Sequence, residues 1–444
     1  MTAVVAIPPP FFSPYLDDQL SKLAAKQIPW EGYQRAKLLS QEECTLLRSL
    51  EKLPAGQRST LFSTQGAQYA KLYIDLLRKL QRVDTVQAVL VSISNMLSDF
   101  STIQYYHDLS KTDPLDPYQP IVKCLTMDTD EEFVHLESLR ILALLIATDD
   151  NDFPEQLLPA LLAAISKLLN GSRQQPRDIA AQVLNAVLGK KQMRSAVWAE
   201  GTCISGLVKW LKETPTPQQQ YSAICCIWQL SYEEDAANGL DKKYDIVSLF
   251  IEIAKSAVKE KVIRVVVATF RNLLLIAPAA NLPSMFVVRL LPFVQSLNER
   301  NWSDEDIVED LDYLKEELKT RLDGLTTYDE YVSELESGHL VWSPAHESDD
   351  FWRLNTSRIL NEGDGKLVKR LVELITTSKE PVVLAVACSD VAKFAKYGGD
   401  RAKQLMTKLG GKTRVMELMT HANPDVRYHS LIAVQQLLSQ HWLD

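Results

Sequence analysis

The chain has 444 residues, 46% of them hydrophobic, which is enough for several ordinary domains or one long repeat array with a sizeable core. Gly is scarce, at 16 in all, which argues against a strand-and-turn protein and for an all-helical one. A formal net charge of −9 disfavours nucleic acid as the main partner, because phosphate binding is electrostatically driven, and disfavours attraction to anionic membrane surfaces.

The first 14 residues are Pro-rich and are expected to be mobile; they lack the basic start and long apolar core of a signal peptide. An amphipathic helix follows. Ser40 and Glu43 then form a capping box ahead of a helix ending near Leu53, and Pro54 to Gly66 reads as a loop. From Tyr69 onward, apolar helical runs alternate with short breaks. Runs begin near Asp130, Gln175, Pro217 and Lys259, about 45, 42 and 42 residues apart, and again at Glu380 and Asn423, about 43 apart. Each is apolar around most of its circumference, as the inner helix of a stacked repeat must be. Pro176, Pro217, Pro381 and Pro424 sit at or just before helix starts, where a missing N–H costs nothing. Asn170-Gly171 and Gly398-Gly399 are expected to separate units. The fold expected is a right-handed α-solenoid of HEAT/armadillo-like repeats.

The stretch from Ser296 to Trp352 breaks that period. Ile307, Leu311, Leu314, Leu318 and Leu322 form one apolar stripe on a very acidic helix, with Ser303 as the expected N-cap and Gly324 as its end. Thr327 and Glu330 suggest a capping box for a short second helix, and an aromatic, Pro-containing loop follows. This reads as a joint between two helical blocks. The expected division is a mobile start over 1–14, an amino-terminal repeat domain over 15–325, a hinge over 326–352, and a carboxy-terminal armadillo-like domain over 353–444. Trp302, Tyr328, Tyr331, Trp342, Phe351 and Trp352 are the residues expected to pack the blocks together or to meet a partner.

Chemistry has little to stand on. Gly410-Gly411-Lys412-Thr413 resembles the tail of a phosphate loop, but Met406 occupies the position of the first Gly, so a helix–helix turn is expected. His346, Glu347, Asp349 and Asp350 lack metal-site spacing and read as a solvated loop. His421 and His429 read as a cap neighbour and a packing residue. The six cysteines, including the adjacent Cys225 and Cys226, read as buried hydrophobes in a reducing compartment. No apolar run approaches 18 residues, the best candidate being broken by Arg264, Arg271 and Pro278. No cofactor, metal, catalytic residue or membrane insertion is expected. Lys255, Lys259, Lys261 and Arg264 form a basic stretch that is either a solvated face or a dock for an acidic partner helix.

Leu297, Glu299, Arg300, Trp302 and Asp304 to Ile307 are followed by Tyr328 to Tyr331, Glu334-Leu335, Trp342-Ser343-Pro344, His346, Phe351 and Trp352. Together they closely resemble the H subunit of the vacuolar-type proton-translocating ATPase, the V-ATPase. LGGKTRVMELM near the carboxyl end and IPWEGYQRAKLLSQEE near the start are similar as well. The resemblance implies a non-catalytic regulatory subunit of the soluble sector. It would couple ATP hydrolysis to proton pumping in the assembled enzyme and inhibit hydrolysis in the detached sector. Its implied partners are the E and G subunits of the peripheral stalk, the amino-terminal domain of the membrane-embedded a subunit, and catalytic-sector and central-stalk subunits after detachment. The implied place is the cytosol, at the cytoplasmic face of vacuolar membranes. Ser378, Lys379 and Glu380, in the turn between two carboxy-terminal repeats, are candidates for the inhibitory contact. The alternative class is an armadillo-type adaptor for segments of trafficking proteins, although Trp198, Trp210 and Trp228 do not recur at one site per unit.

Overall fold

The computed structural model describes residues 13–213, 215–324 and 327–439, and every regular element among them is a helix. The Pro-rich start up to residue 12, and the side chains of Leu322 and Thr327 expected in the stripe and the capping box, lie outside the described residues. The chain forms two compact units, one ending at Ile276 and the other beginning at Ala277.

In the first unit, the helices Val83–Leu97, Glu132–Thr148, Gln174–Val187, Pro217–Leu230 and Glu260–Ile276 pack side by side in one row, each on the next. The last four start 42, 43 and 43 residues apart, as the sequence period predicts. The helix Glu132–Thr148 shows why they must stack. Phe133, Val134, Leu136, Leu139, Ile141, Leu142, Leu145 and Ile146 are all buried, so neighbours have to cover it on both sides. Polar rungs join one repeat to the next. Gln87 donates to Glu131 (3.2 Å), Gln174 to Gln219 (3.0 Å), Gln229 to the Asn185 carbonyl (2.9 Å) and Asn272 to Ser231 (2.9 Å). Gln219 also accepts from the Thr216 N–H (3.1 Å), so one amide both closes a helix start and ties two repeats.

The capping box of Ser40 and Glu43 forms with both bonds, at 3.1 and 2.8 Å. The expected loop from Pro54 to Gly66 is instead the first half of a long helix, Ala55–Lys79, kinked at Gln65. Its polar sequence hides it: Phe62 alone supplies a large buried side chain there, and Gly66 is needed because a Cβ would run into the Tyr105 ring. The amphipathic helix Pro14–Ala24 lies across Val83–Leu97 and Glu132–Thr148. It buries Leu16 and Leu23, its Tyr15 donates to Glu132 (2.9 Å), and Arg140 donates to its Asp17 (2.7 Å).

The second unit begins with Pro278–Val287, Leu290–Asn298 and the acidic helix Glu305–Gly324, which buries Ile307, Leu311, Leu314 and Leu318 as expected. The expected Ser303 cap is displaced by one residue: Asp304 accepts from the Asp306 N–H (3.1 Å). Further on, Gly398-Gly399 marks a break, as expected: the run Pro381–Lys408 is two helical stretches meeting at non-helical Gly399, and it packs against Pro424–Leu438. Gly399 has φ 60° and ψ −151°, a region open essentially to Gly alone, whereas nothing crowds its Cβ position. Gly399→Ala is therefore expected to destabilise the carboxy-terminal unit by about 1–3 kcal/mol through backbone strain alone. Gly32→Ala, in a helix with equally open space, should be neutral or slightly stabilising. Chemical denaturation of the two variants checks the contrast.

Candidate functional site

The aromatic stretch is core. Tyr328, Tyr331, Leu335, Leu340, Ala345, Phe351 and Trp352 belong to one buried cluster with the helices that follow, down to Leu437. Tyr331 is its centre, with ring centroids 5.3 Å from Phe351, 5.3 Å from Trp352 and 5.4 Å from His346. Tyr328 donates to Glu362 (2.7 Å), and the Arg358 guanidinium lies 3.7 Å from its ring centroid. Trp342 is half-buried at the edge, 4.7 Å from the ring of His429. Trp302 belongs elsewhere: its indole N–H donates to the Leu297 carbonyl (2.9 Å) and closes the helix Leu290–Asn298.

Inside this core sits a buried ionic cluster. His346, on the short helix Pro344–Glu347, is fully buried, so the expectation of a solvated loop fails for it, whereas Glu347, Asp349 and Asp350 are exposed as expected. Its Nδ1 lies 2.9 Å from both carboxylate oxygens of Asp390 on Pro381–Lys408, and its Nε2 lies 2.9 Å from Glu334 Oε2 on Thr327–Ser337. A neutral imidazole has one N–H, so bonding both nitrogens to carboxylates takes a second proton in the cluster, on the ring or on a carboxyl. Burial alone would push the imidazole down, but Asp390 and then Glu334 outweigh it and hold it up at about 10. Burial raises Asp390 too. Both directions favour keeping a proton within the cluster. The sequence carries two faint signals, a lone Asp390 in the apolar run VVLAVACSDVAKFA and a His beside aromatic residues. Nothing in it pairs them with Glu334.

The remaining candidates scatter. Lys255 and Lys259 are exposed near the end of the first unit. Lys261 and Arg264 lie on one exposed face of Glu260–Ile276, with Lys261 Nζ 4.8 Å from the Tyr221 ring centroid. Ser378, Lys379 and Glu380 form the turn before Pro381–Lys408, where the Ser378 hydroxyl accepts from the Glu380 N–H (3.2 Å). Gly410, at φ 81°, makes the helix–helix turn expected of LGGK. His421 accepts from the Asn423 N–H (3.1 Å) beside the last helix start, and His429 packs on Trp342, as expected. All six cysteines are buried, and burial pushes the thiols of Cys124 and Cys225 up to about 11. No group of metal-ligating side chains occurs among the described residues, and none of their helices is long and apolar enough to cross a membrane.

A family model for the amino-terminal part of the V-ATPase H subunit matches residues 14–318, and one for its carboxy-terminal part matches 324–442. The H subunit of the V-type proton ATPase of Drosophila melanogaster is 30% identical over 434 residues, which cover 96% of this chain and 90% of the fly protein. The chain belongs to the V-ATPase H subunit family. A probable V-type proton ATPase H subunit of Oryza sativa subsp. japonica is 30% identical over 440 residues, 93% of this chain and 94% of the rice protein. Among solved structures, an engineered protein aligns over 96% of this chain and 99% of its own at 17% identity, with a TM-score of 0.46. The carboxy-terminal family match encloses the buried cluster that runs from Tyr328 to Leu437. Residues 277–318 fall in the amino-terminal family match but pack with the second unit, where Pro278–Val287 meets Thr327–Ser337.

Replacing His346 by Leu strands two buried carboxylates, and the expected cost is about 3–5 kcal/mol, much of it recovered when Asp390 also becomes Leu. The pH dependence has a definite sign. The folded pKa lies above the unfolded value of about 6.5, so the stabilisation is complete below that value and is lost as pH rises through about 10. Unfolding of the wild type minus that of His346→Gln, followed across this window, should show the slope.

Proposed function

We propose that this chain is the non-catalytic regulatory subunit of the V-ATPase soluble sector. In that role it couples ATP hydrolysis to proton pumping in the assembled enzyme and silences hydrolysis when the sector detaches. The observation that carries the reading is the family match in two parts across nearly the whole chain, with the second part enclosing a core of its own. The larger amino-terminal block binds the peripheral stalk, made of the E and G subunits. The smaller block meets the amino-terminal domain of the membrane-embedded a subunit in the assembled pump, and catalytic-sector and central-stalk subunits after detachment. It works at the cytoplasmic face of the membrane, held there by the complex.

Two arrangements of two rigid blocks, chosen by differences in contact free energy, are sufficient for such a switch. Because Tyr331, Phe351, Trp352 and the His346 cluster are core, bending within 328–352 would break that core, so we place the pivot before Tyr328. The exposed turn of Ser378, Lys379 and Glu380 supplies the inhibitory contact.

The test is ATP hydrolysis by soluble sector stripped of its own H subunit, with and without the full-length protein in stoichiometric amounts. Wild type should bind and lower the rate; Lys379→Glu with Glu380→Lys should bind and lower it much less. Unchanged hydrolysis despite added wild-type protein would overturn the regulatory reading. Equal inhibition by the double variant would remove only the assignment of the turn.

A further inference from the structure

The row of helices in the first unit is flanked by Tyr118–Leu125, Leu158–Leu169, Thr202–Lys212 and Ile246–Ser256, and its long face turned away from these is only partly covered. Over Val83–Leu97 and Glu132–Thr148 it is covered by the chain's own helix Pro14–Ala24. The resident helix shows what this face takes. Leu16 and Leu23 fill the apolar middle, and the carboxylate of Asp17 reaches Arg140 at 2.7 Å.

Beyond it, the same face continues across Gln174–Val187, Pro217–Leu230 and Glu260–Ile276. Tyr221, Trp228 and Tyr232 follow one another at steps of seven and four, along one side of the middle helix and just past its end. Trp228 and Tyr232 meet edge to face at 5.4 Å, and Tyr232 remains 50% exposed. On the next helix Leu275 is 59% exposed, while Lys261 and Arg264 line the other end of the same face. Asp178, the lone carboxylate of Gln174–Val187, is half-buried at the repeat position that Tyr221 and Arg264 hold on the next two helices. The floor is therefore aromatic in the middle and cationic along one flank.

We propose that this open part of the row binds an acidic amphipathic helix from another polypeptide. Its apolar side would cover Trp228, Tyr232 and Leu275, and its carboxylates would face Lys261 and Arg264. Two observations fix that chemistry: the sign of the flank, and continuity with a face that already seats an amphipathic helix by an apolar middle and a carboxylate–Arg pair. Three helices at roughly 8–10 Å spacing span about 20 Å, the length of a helix of about 14 residues. The proposal is independent of the regulatory reading above, because it uses only the first unit's surface.

Fluorescence anisotropy tests it on the full-length protein. The probe is a labelled, designed helix of about 15 residues (a length set by about 1.5 Å per residue), with Leu on one face and Glu on the flanks; its twin carries Lys for every Glu. The acidic probe should bind saturably and its twin should not. Lys261→Glu with Arg264→Glu should weaken binding at least about tenfold, with unchanged thermal unfolding. Tyr232→Ser, at an exposed site, should weaken it independently. Lys209→Glu with Lys212→Glu, on the helix Thr202–Lys212, should leave it unchanged. Binding of neither probe, equal binding of both, or equal loss in the Lys209/Lys212 pair overturns the proposal.

Discussion

A helix that is apolar around nearly its whole circumference cannot stand at the surface, and the first unit is the consequence of having five of them in series. Each fully buried Leu, Ile or Phe contributes roughly 1.5–3 kcal/mol, but only if a neighbour supplies the cover. The neighbour is the same helix of the next repeat. Stacking is therefore set by the sequence period, and the polar rungs Gln87–Glu131, Gln174–Gln219, Gln229–Asn185 and Asn272–Ser231 hold the register where apolar contact alone would tolerate sliding. A row also has open faces. The helix Pro14–Ala24 covers one stretch, and the aromatic side chains from Tyr221 to Tyr232 line the stretch that it leaves open.

The carboxy-terminal unit solves a different problem. Two of its segments before residue 353 are short: eleven residues in Thr327–Ser337 and four in Pro344–Glu347. Short helices gain little from apolar burial and are poorly fixed in direction. Directional bonds compensate. His346 grips Glu334 on one side and Asp390 on the other, and the aromatic ring of Tyr331 lies against it. Each of the three ionisable groups would be costly alone in this interior; together they share a proton and satisfy one another. The Arg370 guanidinium adds to the fixing by donating to the Leu335 (3.2 Å) and Glu336 (3.2 Å) carbonyls at the end of Thr327–Ser337.

What the sequence discloses follows from these two modes of stabilisation. Repeats held by apolar periodicity are legible, down to the proline positions and the Ser40–Glu43 cap, because the signal recurs and each helix carries it locally. Pro54 to Gly66 reads wrongly as a loop because its helix is held by a few distant contacts, Phe62 and the Tyr105 ring over Gly66, rather than by its own pattern. Gly398-Gly399 is legible as a break because a Gly is what the non-helical backbone between two helical stretches requires. The His346 cluster is invisible for the same reason that makes it effective. Its partners stand 12 and 44 residues away, on elements whose meeting is decided by tertiary structure.

The cluster bears on the regulatory role proposed above. On that proposal, a block that serves two sets of partners contributes only the difference between two docking free energies, and shifting a two-state balance from one extreme to the other takes about 5.5 kcal/mol. A block that deformed on docking would absorb part of that difference as internal strain. Tying 328–352 into one core by aromatic packing and a bridging proton makes such deformation expensive, so on that proposal differences in contact at the surface would be passed on as movement of the whole block. The proposed role needs rigidity in the core and exposure at the contact. Tyr331 and His346 are buried in that core, whereas Lys379 and Glu380, in the turn proposed for the contact, are exposed.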